Sequence, residues 1–142
     1  MKKPVAVAAI LGFSALAFAK GPQKAGNWHI TVAMEIPGMP QAPPPRSFDK
    51  CITQAQSDDP KQAIKEQSSE CDPADIKVAG NTVTYKISCH MHGGTQTGNG
   101  TITYSGDSYT GTTTVEMTNP RGGGTMKMVQ HMTGQRTGDC TK

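Results

Sequence analysis

The sequence predicts an all-β domain: an antiparallel meander of six or seven strands curled into a barrel, half-barrel or sandwich, with one short helical insertion and two disulfides. Three observations lead there. Apolar and polar residues alternate at period two in segment after segment, the mark of a half-buried strand. Gly-Asn and Gly-Asp pairs separate the segments at positions that suit tight hairpin turns. Four cysteines stand in a chain of 142 residues that opens with an export-type leader, and an even count in that setting reads as two bridges.

The leader comes first. Lys2 and Lys3 give a positive start, residues 5–18 an apolar stretch, and Ala17-Phe18-Ala19 a small-x-small pattern. Residues 1–19 therefore read as a signal peptide cut between Ala19 and Lys20. The stretch is too short to span a bilayer, and no second apolar run follows. Residues 20–142 are expected to form a single exported domain, periplasmic or secreted, and 123 residues is an ordinary size for one domain.

Of fourteen Lys and Arg, two lie in the leader, leaving twelve against eleven acidic residues. So even a balance excludes electrostatic capture of nucleic acid, which needs a concentrated basic face. Only 35% of the chain is apolar, which predicts a thin core dependent on covalent staples.

Trp28, Ile30, Val32, Met34 and Ile36 alternate with His29, Thr31, Ala33 and Glu35, predicting the first strand. Residues 37–46 hold five prolines and form neither helix nor central strand, leaving an extended loop. A short strand is expected over 47–53. Residues 54–70 are the helical candidate, with Pro60 after Asp59 suiting a helix start.

Ile76 and Val78 precede Gly80-Asn81, and Val83, Tyr85 and Ile87 follow it. A two-residue turn pairs Val78 with Val83 and Ile76 with Tyr85 on one face. Cys71 and Cys89 each lie nine residues from Gly80, so the same hairpin brings them together and Cys51 pairs with Cys140. On a loop-entropy basis the two bridges contribute about 3 and about 4.6 kcal/mol. Gly106-Asp107 makes a second turn, pairing Tyr104 with Tyr109 and continuing the face through Ile102, Thr113, Val115 and Met117. Gly122, Gly123 and Gly124 make a flexible connection, and a last strand over about 125–135 places Met126, Met128 and Met132 on one face.

Several segments then resemble one family in order along the chain: Gly26-Asn27-Trp28-His29-Ile30, Ile36-Pro37-Gly38-Met39-Pro40 and Cys51-Ile52-Thr53. Val78-Ala79-Gly80-Asn81-Thr82-Val83-Thr84, the stretch around Tyr104-Ser105-Gly106-Asp107, and Gly134-Gln135-Arg136 with Gly138-Asp139-Cys140 extend the match. The chain resembles the small exported bacterial proteins of the DUF3617 family across the part after the leader. The resemblance implies export and one small β-rich domain, and brings no activity or site residues with it. Two departures stand out: His29, where members commonly carry Glu or Asp, and His90-Met91-His92 after Cys89.

Eight methionines and four histidines in an exported chain suit a soft metal such as copper or silver. The candidates are His90, Met91 and His92, with Met126, Met128, His131 and Met132. Strand alternation divides them, turning Met91 and the late methionines inward as core filler and His90 and His92 outward. Those two imidazoles, about 6.6 Å apart at Cα, are the metal site the sequence offers. Hydrolase and phosphate-binding motifs are missing. Glu35 reads as an outward strand residue, Asp107 as a turn residue, and Asn99-Gly100-Thr101 as an isolated acceptor tripeptide.

The expectation is a monomeric, non-enzymatic domain without a cofactor that binds a small apolar or amphipathic molecule or an envelope protein. The ligand enters one open end, beside the loop over 37–46 or the glycines of 122–124. The alternatives are a copper or silver protein using His90 and His92, and a structural or protein-interaction domain of the envelope.

Overall fold

The computed structural model describes residues 21–66, 70–91 (Met91 by its backbone alone), 94–118 and 122–141. The expected signal peptide, residues 1–19, lies outside the described residues. The strands are β1 (Gly26–Glu35), β2 (Arg46–Ile52), β3 (Cys71–Ala79), β4 (Thr82–Met91), β5 (Gly94–Ser105), β6 (Ser108–Thr118) and β7 (Thr125–Gly138). Two short helices, α1 (Gln54–Asp58) and α2 (Pro60–Lys65), join β2 to β3.

All seven strands belong to one antiparallel sheet in the order β2-β1-β7-β6-β5-β4-β3. The stretch β3 to β7 is a simple meander, and β1 docks against β7 with β2 outside it. The sheet stays open: β2 and β3 are its edges, and the structure is a curled half-barrel rather than a closed barrel. Trp28 on β1 and Val83 on β4 belong to one core cluster. Four strand spacings separate those strands, about 19 Å on a flat sheet, so the sheet must curl to bring them together.

Local sequence explains most of these elements. Tyr104 pairs with Tyr109 around Gly106-Asp107, and Val78 with Val83 around Gly80-Asn81; Gly80 and Gly106 take φ of 60° and 63°, which glycine adopts without strain. Cys71 lies opposite Cys89 and is bonded to it, and Cys51 is bonded to Cys140. One pairing differs from expectation. The register shifts between Ala74 and Lys77, so Asp75 and Ile76 together face Tyr85 in a bulge, with Asp75 at φ 49°.

The helical stretch is two helices where the sequence suggests one insertion. Thr53 caps α1, accepting from the Gln56 backbone N–H while the Gln56 side chain accepts from the Thr53 N–H. This is a capping box. Asp59 then caps α2 through the Lys61 N–H, with Pro60 in its first turn. The chain needs the extended Asp59 between them because a residue before proline is pushed out of the helical region.

Ala63 and Ile64 of α2 are buried, and Ile64 joins the core cluster. The connector thus runs from one sheet edge to the other, with Ile64 turned into the concave face. The Ser57 hydroxyl of α1 donates to the Gln23 carbonyl, tying the segment before β1 to the same connector.

Candidate functional site

The concave face is filled at one end and hollow at the other. At the filled end Trp28, Tyr104 and Tyr109 stack in tilted pairs with ring centroids 5.4 Å apart, a favoured aromatic arrangement. The Trp28 indole N–H donates to the Lys24 carbonyl at 2.9 Å. Tyr109 lies over Gly134, its cross-strand partner: a Cβ built there would sit 2.1 Å from the ring.

Midway, Tyr85 on β4 lies across Gly100 on β5 in the same manner, with a built Cβ again 2.1 Å from its ring. Its hydroxyl reaches the Thr113 hydroxyl on β6 at 2.8 Å. Burial raises the Tyr85 pKa, and the bond to Thr113 offsets part of the rise. The phenol is therefore held neutral at any physiological pH.

Beyond Tyr85 the inward positions of β5 are Gly98 and Gln96, so the middle of the sheet supplies little bulk. A cavity of about 180 Å³ remains there. Its apolar wall is Met34, Ile64, Ile87, Val115, Met128 and Met132, with the Cys71–Cys89 bridge at one side; Thr113, Gln96 and Gln130 are the polar groups. Exposure grades outward, from Met132 at 5% to Met34 at 38%. Met117 lies just beyond, its sulfur 4.0 Å from the Gln96 amide nitrogen.

The residues singled out from sequence are distributed differently. His90 is on the convex face, 3.7 Å from the Asp72 carboxylate. His92, and with it the expected His90–His92 pair, lies outside the described residues. His131 faces Glu35 at 3.5 Å, and His29 faces Asp49 at 2.7 Å, all exposed. Among the described residues no three His, Cys, Asp or Glu side chains converge on a metal-sized site.

The late methionines share a face, as alternation requires. Met132 is core, but Met126 is 41% exposed and Met128 half-buried, which corrects their reading as core filler. The cause is the open end, where nothing among the described residues covers the ends of β6 and β7. Asp107 sits in its turn, paired with Lys24 at 3.2 Å, and Gly122, Gly123 and Gly124 all take positive φ.

Sequence reasoning missed Gln96, Gln130 and Ile64 as cavity residues. For β5 a signal existed. Gln96, Gly98 and Gly100 occupy three successive inward positions with no apolar side chain, which marks an end of the sheet that β5 cannot fill.

The arrangement defines a class: a small disulfide-braced β half-barrel with an apolar hollow of about 180 Å³ at one end. The sequence model of the DUF3617 family, described as a protein of unknown function, matches residues 23–140. The chain belongs to that family. No curated protein and no solved structure matches it. Among the described residues no helix is long and apolar enough to cross a membrane.

Proposed function

We propose that this protein is a non-enzymatic binding domain, exported to the periplasm or secreted, that takes one small apolar or amphipathic molecule into the open end of its half-barrel. The observation that carries the reading is the cavity of about 180 Å³ walled by methionine, isoleucine and valine side chains. Apolar cavities near 150 Å³ hold a molecule the size of benzene, whereas drug-sized ligands need about 300 Å³ or more. A single ring or a short alkyl segment fits, with any polar end directed to the mouth.

Support for binding without catalysis lies in the polar groups there. Gln96, Gln130 and Thr113 are amides and a hydroxyl, able to orient a ligand but poor at moving protons. Tyr85, held neutral, offers a hydroxyl rather than a base.

The test is native mass spectrometry of the protein taken from its own envelope fraction. A retained small apolar compound is expected, and Ile87→Trp, which fills the hollow, is expected to release it. A bare polypeptide mass in the natural protein, or a compound retained equally by the Ile87→Trp variant, overturns the reading.

A further inference from the structure

Most of the polar groups of the cavity stand in one row across the sheet. Tyr85 pairs with Gly100, Gly100 with Thr113, Thr113 with Gln130, and Gln130 with Met34. Glycine adds no side chain, so the row reads phenol, hydroxyl, carboxamide and thioether from β4 to β1. The Tyr85 and Thr113 hydroxyls meet at 2.8 Å; of their two hydrogens one bridges the oxygens and the other is left to donate. Thr113 is only 4% exposed, where an unused donor is costly. Gln130 stands directly opposite it, at the Cβ spacing of about 4.5–5.5 Å that cross-strand partners keep. Its half-buried carboxamide has no hydrogen-bond partner among the described residues.

The lining is also without charge: among the described residues around the cavity there is no Asp, Glu, Lys, Arg or His. Strand alternation sends Glu35, Glu116, Lys127 and His131 to the convex face. On the concave side of β2, Lys50 bonds to Glu66, and Arg46 lies opposite Val32 at the exposed sheet edge, outside the lining.

Resting on the binding role proposed above, we infer that the molecule taken into the cavity is uncharged at its polar end, an alcohol or a primary amide, and that Gln130 and Thr113 hold this end beside Met34. Such a group both donates and accepts, as the Gln130 carboxamide does. It accepts the spare hydroxyl hydrogen and donates to Gln130 Oε1. A carboxylate or an ammonium would leave water for a lining that offers no counter-charge, at a cost far above that of moving a hydroxyl. The cavity therefore selects by charge as well as by size.

The experiment titrates the protein, disulfides intact, with 1-hexanol, hexanoate and hexylammonium at pH 7, and with ethylbenzene as a probe that has no polar end. The ¹H–¹³C signals of the methionine methyl groups report binding. Hexanol is expected to shift Met34, Met128 and Met132 most, and to bind at least about tenfold more tightly than either ion. Gln130→Met, similar in length but without the amide, is expected to weaken hexanol about five- to tenfold and to leave ethylbenzene unchanged. Either ion binding as tightly as hexanol overturns the inference, as does hexanol affinity undiminished in Gln130→Met, or capture of ethylbenzene alone; each of these leaves the apolar-cavity reading standing. Tighter binding of hexanoate that disappears in Arg46→Gln overturns it as well and assigns the polar end to the sheet edge. If no probe shifts these methyl groups, the binding role fails and the inference with it. Should Gln130→Met fold poorly, the ranking of the probes on the natural protein decides alone.

Discussion

The Tyr85 hydroxyl meets the Thr113 hydroxyl at 2.8 Å, two strands away, because the strand between them presents only Gly100 under the ring. Tyr85 and Thr113 are both buried, so each satisfies the other where water is scarce. Tyr109 offers a contrast: its hydroxyl is buried and has no hydrogen-bond partner among the described residues. Tyr85→Phe is therefore expected to cost about 1–3 kcal/mol, since it strands the Thr113 hydroxyl, while Tyr109→Phe is neutral or stabilising. Urea unfolding of the two variants checks this; the opposite ranking rejects the assigned bond.

Glycines under tyrosine rings set a second expectation. Gly100→Ala and Gly134→Ala each drive a methyl into a ring 2.1 Å away, and overpacking of this kind costs about 1–3 kcal/mol. The larger loss is expected at Gly134, because Tyr109 is held between Trp28 and Tyr104 and has less room to turn. Equal stability of both variants and the natural chain would mean that the rings move freely.

Alkali should unfold this domain before it titrates the native tyrosines. Burial, with a smaller contribution from Tyr85, pushes Tyr109 up to about 12. Burial, then Tyr109 and Tyr85, raises Tyr104 further. Unfolded tyrosine ionises near pH 10. Between those values the native state holds protons that the unfolded chain has released, so stability is intact below about pH 10 and falls as pH rises. The slope approaches about 1.4 kcal/mol per pH unit for each such tyrosine. Thermal melts from pH 8 to 11.5, with phenolate absorbance followed in parallel, read it; tyrosinate appearing near pH 10 without unfolding contradicts the burial.

The two disulfides are expected to differ in weight. Cys51–Cys140 closes 89 residues and Cys71–Cys89 closes 18, so on loop entropy their removal costs about 4.6 and about 3 kcal/mol. Double-alanine variants compared in urea test the ranking. A greater loss from the shorter bridge would assign it a packing role at the cavity wall in addition to loop closure.

The parts legible in the sequence were those that local rules decide. Alternation located β1, β4, β6 and β7 and the turn-proximal ends of β3 and β5, and glycine pairs placed the turns at 80–81 and 106–107. Symmetric spacing about Gly80 gave the Cys71–Cys89 pairing, and Asp59-Pro60 gave a helix start. What escaped depends on long-range geometry. That β1 docks on β7 places Met34 across from Gln130, 96 positions away, and no local pattern encodes that neighbourhood. Ile64 reaches the cavity only because its connector spans the open seam. The bulge at Asp75 and Ile76, opposite Tyr85, likewise has no local signal, since either residue alone reads as ordinary strand.

Tyr85 lying across Gly100 also divides the hollow from the aromatic end, since Thr113 and Tyr85 are the last residues of the cavity wall before Tyr104 and Tyr109. A partition at fixed depth turns the half-barrel into a gauge. Under the proposed binding role, molecules entering past Met34 are sorted by the length of their apolar end, because a shorter one leaves void and a longer one must project into solvent.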